Sequence, residues 1–239
     1  MIKNYTLFFA FVLILSSSFA QKGLNLGING QYTGITIVNQ NSWGNGHEYD
    51  YKLTNGSAFG LDVGYNFSDK IGIYSGFGMM TLGQDYTDSY SEIDGGTSSD
   101  WERSLRFKYN VIPIMLKFTG SEMRVNFIGG FGIIYAMMKE AKQTWTKDGV
   151  DWNNNDDLGN QDVTDRYVKN DIIINMEMGA RIFIIDHLYV DALIDFGYGL
   201  KDINAEGWHT PDNKGVYNAS HNGYGGIKIG IAYVLFGEE

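Results

Sequence analysis

The chain alternates between apolar and polar residues over many short stretches, and a two-residue period predicts β-strands. The clearest stretch is 59–67, in which five large apolar residues alternate with small or polar ones: Phe59, Leu61, Val63, Tyr65 and Phe67 against Gly60, Asp62, Gly64 and Asn66. Seven other stretches show the same or a related pattern, near residues 24–34, 71–82, 109–118, 124–135, 172–184, 188–197 and 227–235. Successive side chains of a strand point to opposite faces, so each predicted strand has one apolar face and one face of polar residues and glycine.

The connections between these strands alternate between short and long. Tight turns are predicted at 68–70, 119–123 and 185–187, whereas the remaining connections are long loops at 39–56, 83–103, 139–170 and 201–221. Neighbouring strands joined by tight turns pair antiparallel. The arrangement is therefore typical of an up-and-down barrel with short periplasmic turns and long extracellular loops, and with both termini on the periplasmic side.

Alternation alone does not distinguish a membrane barrel from a soluble, lipocalin-like one, but three further features favour the membrane. The strands reach about ten residues, the length that crosses a bilayer at a tilt. The connections alternate between about three to five residues and about 17 to 32 residues, as short periplasmic turns and long external loops do. Glycine concentrates on the opposite face, where a narrow barrel has least room. We predict an all-β, eight-stranded antiparallel transmembrane β-barrel.

Charged residues occur on the faces that this model turns toward the barrel interior. They are Asp62, Glu177, Arg181, Asp191, Asp195 and Lys228, with Arg106 and Lys108 as further candidates. Opposite charges on neighbouring strands can neutralise one another. We interpret the set as an interior network of ion pairs. A proton or ion path is the alternative, which the narrow lumen of eight strands disfavours.

The first residues have the features of a secretory signal peptide. Lys3 precedes an apolar segment at 7–15, and Ser18 and Ala20 fit a cleavage site after residue 20. We therefore expect a signal peptide at 1–20 and a barrel domain at 21–239, located in the outer membrane; an uncleaved membrane anchor is the alternative. The chain has no cysteine, which excludes disulfides and a lipidated cysteine, and its net charge of −10 argues against binding nucleic acid.

The central hairpin carries a family resemblance. Tyr109, Ile112, Pro113, Leu116 and Lys117 form a Tyr-x-x-Ile-Pro-x-x-Leu-Lys pattern, followed by a turn and the Gly-Gly-Phe-Gly segment at 129–132. With the segments 189–192 and 195–204, this pattern resembles the PorT-like outer-membrane β-barrel family of Bacteroidota-type bacteria. The resemblance implies the barrel scaffold and an accessory role in protein secretion or gliding. Since proline donates no ladder hydrogen bond, we expect a bulge or a missing bond at Pro113.

The five tryptophans all fall in or beside the predicted long loops: Trp43, Trp101, Trp145, Trp152 and Trp208. Those nearest the strand ends fit an interfacial aromatic girdle. Trp145 and Trp152 lie too deep in their loop for this role. We therefore predict that Trp145, Trp152 and Trp208 are candidates for stacking on a sugar or a partner protein.

One stretch of the longest loop has weak features of a calcium site. Asp151, Asn153 and Asn155 place oxygen ligands at alternate positions, but Asp156 occupies the position where glycine is expected. A solvated acidic loop is the alternative. No cofactor is expected.

Residues that would support an enzyme are sparse. His47, His209 and His221 fall on the side of the long loops, and Asp212 could reach His209. Ser220 and His221 are adjacent in a strand, so they point to opposite faces. We expect a monomeric, non-enzymatic membrane protein whose loops bind an extracellular ligand or envelope protein, or have a structural or accessory role. The alternatives are a narrow channel for small solutes and a lipid- or peptide-modifying enzyme at the rim.

Overall fold

The computed structural model describes residues 22–39, 50–90, 99–120, 124–152, 161–209, 211 and 215–236. The predicted signal peptide, Trp43 and His47 lie outside the described residues. The described part contains eight long strands: β1 (Gly23–Asn39), β2 (Thr54–Asn66), β3 (Ile71–Tyr90), β4 (Ser99–Thr119), β5 (Val125–Lys147), β6 (Asn170–Ile185), β7 (Leu188–Gly199) and β8 (Ser220–Phe236). Three strands of two or three residues, Asp50–Lys52, Val150–Asp151 and Gln161–Asp162, extend the sheet beside β3 and β5.

Each long strand pairs antiparallel with the next along the chain, and β8 pairs with β1. The sheet therefore closes on itself, which confirms the predicted antiparallel barrel. Gly23 lies opposite Asn66, and Leu24 lies opposite Phe236, so both ends of the described chain are at the end of the tight turns. In the described part of the chain, no helix has the length and hydropathy to cross a membrane.

In the part of the barrel nearer the tight turns, the apolar faces of the strands point outward and the polar faces point inward. Phe59, Leu61 and Val63 on β2 are 60%, 63% and 42% exposed, and Ile229 on β8 is 58% exposed. Glu177, by contrast, is buried inside the barrel. An apolar outer surface of this extent is unfavourable in water and suits the hydrocarbon of a bilayer.

Strands β3, β4 and β5 are much longer than predicted, at 20, 21 and 23 residues. The predicted loops at 83–103 and 139–170 are therefore wrong at their boundaries, because much of each is paired strand. β5 continues through 138–147 after Met137, which pairs with the first residue of β6. These ten residues span about 33 Å at the usual rise per residue. We call the paired segments 82–90, 99–108 and 138–147 the wall.

A β-bulge in β5 marks the base of the wall. Tyr109 pairs with Met138 and Lys108 pairs with Glu140, so Lys139 is the extra residue. One added residue moves every following side chain to the opposite face. Ala136 faces inward before the bulge, and Ala141 and Trp145 face inward after it.

The pairing of β3 with β4 is interrupted at Pro113. Ser75 pairs with Ile114, and the next paired residues are Gly78 and Val111. The Ser75 hydroxyl donates a hydrogen bond to the Pro113 carbonyl at 2.8 Å. The interruption matches the missing ladder bond expected for a proline in a closed barrel.

Candidate functional site

Inside the half of the barrel nearer the tight turns, Glu177 forms the centre of an ion-pair network. Its carboxylate forms ion pairs with Lys117 on β4 and Lys228 on β8, whose Nζ atoms lie 2.6 Å and 3.0 Å from its oxygens. Lys228 Nζ also lies 3.9 Å from an oxygen of Asp195. Two cations thus compensate two carboxylates, and all four side chains are nearly inaccessible to solvent. Sequence reasoning did not include Lys117 in this network.

The remaining predicted interior charges also have partners in the lumen. Arg181 is fully buried and donates to both oxygens of Asp191, at 2.8 and 2.9 Å. Its guanidinium carbon lies 3.8 Å from the centre of the Tyr189 ring. Asp62 accepts a hydrogen bond from Asn29 at 2.7 Å. Such forked and charge-assisted bonds fix the side chains and leave little free volume between them.

Arg106 and Lys108 do not join this network, so their predicted interior position is wrong. The inward positions of upper β4 are the odd ones, among them the buried Leu105 and Phe107, which leaves Arg106 and Lys108 on the outer face of the wall. Arg106 binds both oxygens of Asp85 at 2.7 and 2.8 Å, and Lys108 lies 2.7 Å from Glu140. Ion pairs on an outward face do not suit lipid, so the wall stands beyond the bilayer.

The Asp85 carboxyl shows the electrostatic effect of this outer pairing. Burial tends to raise its pKa, but the hydrogen bonds from Arg106 and Ser104 outweigh burial and lower the pKa below its usual value. The wall therefore carries a carboxylate that is held in its charged form.

The lumen at the base of the wall is filled by a cluster that we call the apolar plug. Strands β1, β3, β4, β5, β6 and β8 all contribute, and three residues come from the connections at 161–169 and 200–219. The plug consists of Ile35, Ile37, Met80, Leu82, Leu105, Phe107, Tyr109, Val111, Ile134, Ala136, Ala141, Val163, Tyr167, Ile173, Ile203 and Tyr224. Phe107 is completely buried and lies edge-on to Tyr167, with ring centres 4.6 Å apart.

Backbone hydrogen bonds hold the connections across the mouth of the barrel. The Val163 amide donates to the Ala141 carbonyl, and the Ile203 amide donates to the Ser220 carbonyl, at 2.8 and 2.9 Å. Tyr167 forms an isolated β-bridge with Asn204. The plug is thus covered by chain segments that are tied to the barrel.

Above the plug, between the wall and these connections, lies a cleft of about 370 Å³ that we call the rim cleft. Its lining combines two arginines with aromatic, amide and hydroxyl groups, and the described residues contribute no carboxylate to it. The lining residues are Ile37, Tyr86, Arg103, Leu105, Arg166, Tyr167, Ile203, Asn204, Trp208, Tyr217 and Ser220.

Arg103 enters the rim cleft from the wall and is held by uncharged groups. Its Nε and Nη2 donate to Gln143 Oε1 at 3.2 and 2.9 Å. Its guanidinium carbon lies 5.4 Å from the Trp145 ring centre and 5.8 Å from that of Tyr86. Among the described side chains, no carboxylate forms an ion pair with Arg103 within 4.0 Å. Its positive charge is therefore oriented but not neutralised.

The opposite side of the rim cleft is a set of stacked rings. The Arg166 guanidinium lies 4.4 Å from the Trp208 ring centre, and His209 stacks on Tyr217 at 4.0 Å. The Tyr217 hydroxyl donates to the Asp202 carboxylate, and together with burial this bond raises the pKa of Tyr217 to about 12. Tyr217 therefore stays protonated at neutral pH.

The three tryptophans predicted to bind a ligand or partner lie at two different places. Trp208 lines the rim cleft and is half exposed. Trp145 and Trp152 contact Trp101 near the tip of the wall: the ring centre of Trp101 lies 6.2 Å from that of Trp145 and 5.3 Å from that of Trp152. Trp145 is buried, so its main contacts are within the wall.

The candidate calcium and catalytic residues are described only in part, and Asp212, the predicted partner of His209, lies outside the described residues. Asp151 is exposed in the short strand Val150–Asp151, and Asn153 and Asn155 lie outside the described residues. The described side chains include no group of three His, Asp or Glu that could hold a metal ion. Ser220 is buried toward the inside, whereas His221 stacks on Tyr198 at 5.3 Å.

The closed antiparallel barrel, with its apolar outer belt and charged lumen, defines a class, the outer-membrane β-barrel proteins. Residues 18–204 match the family model described as outer membrane protein beta-barrel domain, and the chain belongs to this family. The protein is thus an outer-membrane barrel. In this class short turns face the periplasm and long connections face the cell exterior, which places the wall and the rim cleft outside the cell.

The chain is also similar to several solved outer-membrane proteins. OprG of Pseudomonas aeruginosa is 13% identical, with 91% of this chain and 100% of that chain covered and a TM-score of 0.42. Neisserial surface protein A is 10% identical, with coverages of 90% and 98% and a TM-score of 0.43. Ail of Yersinia pestis is 14% identical, with coverages of 89% and 100% and a TM-score of 0.40. No curated protein matches this chain in sequence.

Proposed function

We propose that this protein is a sealed, non-enzymatic barrel that anchors a binding surface outside the cell, with the rim cleft as the binding site. One observation carries the proposal. The ion-pair network around Glu177 and the apolar plug fill the lumen in two layers, whereas the rim cleft opens above them. Because the barrel offers little internal space, interaction is expected at its outer end.

Both filled layers oppose transport through the lumen. A solute crossing the inner layer would have to break buried ion pairs around Glu177, and loss of one partner of such a pair costs about 3–5 kcal/mol. The apolar plug would have to open as well, which would expose closely packed apolar surface to water. These costs favour a sealed barrel over the alternative of a narrow channel.

The histidines near the rim give little support to an enzyme. His209 Nε2 lies 3.3 Å from Asp202, so an orienting carboxylate is present. Within the described residues, however, no serine or threonine hydroxyl forms a hydrogen bond with His209. A general base next to an activatable nucleophile is the usual sign of covalent catalysis. We therefore favour binding over catalysis.

The motif of Tyr109, Pro113 and Lys117 supports a narrower proposal, kinship with PorT-like barrels and an accessory role in secretion or gliding. On this proposal the chain is exported by a cleaved signal peptide, resides in the bilayer as a monomer, and uses its wall to contact an envelope partner. The wall's length and its external position support such a contact.

Conductance in planar bilayers tests the sealed barrel. The wild-type protein is expected to show no conductance steps. A triple variant, Phe107→Ala, Glu177→Ala and Lys228→Ala, shortens side chains in both layers and should open a path for water and small ions. Leu61→Ala, on the lipid-facing surface, is the matched control and should remain silent. Regular conductance steps from the wild-type protein would contradict the proposal.

A further inference from the structure

We infer that the rim cleft binds an anionic sugar, with Arg103 as the residue that recognises its carboxylate or phosphate. The inference rests on the proposed binding function and names the ligand class of the same site. It depends on three features of the cleft: the absence of a described carboxylate beside Arg103, the composition of the lining, and the bonds that hold the lining in place.

Arg103 differs from several cations of its neighbourhood. Four cations on the outer face of this region lie 2.7 Å from a carboxylate, in the pairs Lys52–Glu102, Arg106–Asp85, Lys108–Glu140 and Lys142–Glu140. Arg103, on the inner face of the same strand as Arg106, contacts the Gln143 amide, aromatic rings and the Tyr167 hydroxyl, all of them uncharged. Arg103 is therefore available for an external anion.

The chemistry of the lining selects the rest of the ligand. Arginine presents a planar fork that matches carboxylate and phosphate oxygens. Trp208 and Tyr217 each have one ring face stacked, on Arg166 and on His209, and the C–H face of a sugar ring would pack against the other face. Asn204 and Ser220 hold this side of the lining, because the Asn204 amide donates to the Tyr217 and Ser220 hydroxyls at 3.1 Å each. The volume of about 370 Å³ is at the lower end of the range for small-molecule sites.

The site is also held in place before a ligand arrives. Gln143 and the Trp145 ring orient the guanidinium of Arg103 from the wall side. Across the cleft, Asp202 accepts the Tyr217 hydroxyl and the backbone amides of Asn204 and Ser220. These bonds occupy the Asp202 carboxylate, so it is engaged in holding the cleft. A site that needs little rearrangement loses less free energy on binding.

The test measures binding of four small probes to the full-length protein in detergent micelles by titration calorimetry. The probes are glucuronate, glucose 6-phosphate, glucose and inorganic phosphate. We expect both anionic sugars to bind at least about tenfold more tightly than glucose or inorganic phosphate, since only they engage the fork and the rings together. Added salt should weaken their binding.

Two substitutions on the same strand make the assignment specific. Arg103→Gln should remove the tenfold advantage of the anionic sugars, whereas Arg106→Gln, which faces outward and pairs with Asp85, should leave their affinity unchanged. Heat-modifiable gel migration shows whether each variant is folded. If Arg103→Gln does not fold, the wild-type comparison of glucuronate with glucose tests the inference alone.

Several results would overturn the inference. Equal binding of glucose and glucuronate would mean that the cleft binds neutral sugars; the proposed binding function would stand and the anionic ligand would not. Equal loss of affinity in Arg103→Gln and Arg106→Gln would remove the assignment of Arg103, as would the absence of binding by all four probes. Failure of the sealed barrel itself would be seen separately, as conductance by the wild-type protein.

Discussion

The two halves of the central hairpin distribute apolar and charged residues in opposite ways. In the bilayer, Phe118 and Phe131 point outward and Lys117 points inward. In the wall, Phe107 and Trp145 point inward and Lys108 and Lys142 lie on the outer face, whereas Arg103 is a charged residue that points inward. The lower half thus suits lipid outside and ions inside, whereas the upper half resembles a water-soluble protein.

The two strands reach this reversal by different means. In β4 the odd-numbered residues point inward throughout, but the apolar residues are odd-numbered before Asn110 and mostly even-numbered from Ile112 onward. β5 instead changes its facing through the bulge at Lys139. The solvent around each segment, lipid or water, thus determines which face is apolar, while one continuous ladder of hydrogen bonds passes through both segments.

Removing a buried charge from the lumen should lower the stability of the protein far more than removing a charge from the wall. Glu177→Ala leaves Lys117 and Lys228 buried without their main counter-charge and should lower the free energy of unfolding by about 3–5 kcal/mol. Asp85→Ala breaks a partly exposed pair in the wall and should cost less than about 1 kcal/mol. Urea unfolding in lipid vesicles measures both. Equal losses would show that the lumen is as hydrated as the outer surface of the wall.

A charge added to each outer face should have the next largest effect. Leu61→Lys places an ammonium in the lipid belt and should destabilise the barrel by about 2–4 kcal/mol. Thr144→Lys places the same group on the outer face of the wall, in water, and should change stability by less than about 0.5 kcal/mol. The same unfolding assay compares them. A similar cost at both positions would place the wall within the bilayer.

The smallest effect is the pH dependence of the Asp85–Arg106 pair. The folded pKa of Asp85 is lower than the unfolded value of about 3.9, so the pair stabilises the protein at neutral pH. This contribution, under about 1 kcal/mol, should disappear as the pH falls from about 4 through the folded pKa. The stability difference between wild type and Asp85→Asn, measured against pH, should shrink on acidification. A difference that grows in acid would contradict the assigned pairing.

The sequence predicted the barrel well because the lipid belt imposes strict alternation. The facing of β2, β6, β7 and β8 follows directly from it. The upper parts of β3, β4 and β5 were assigned to loops because charged residues replace apolar ones on their outer face, and polar stretches between strands resemble loops. A switch of the apolar positions from even to odd residues, visible in Leu105, Phe107 and Tyr109, was the available signal.

The candidate site was less predictable for physical reasons. Lys117 lies between two apolar residues near a strand end, so its inward position was not distinguished from a turn residue. The rim cleft joins residues as distant in sequence as Ile37, Arg103 and Ser220, which only the closed sheet brings together. Trp208 was identified from its loop position, but its neighbour Arg166 was not.

The reversal of facing at Lys139 can be tested most directly by single cysteines along β5, since the chain has no cysteine of its own. Cysteines at Phe131 and Ile133 should be accessible to a lipid-soluble quencher, and those at Lys142 and Thr144 to a water-soluble reagent. Cysteines at Gln143 and Trp145 should be protected from both. Protection at Lys142 and Thr144 with full reactivity at Gln143 and Trp145 would contradict the account.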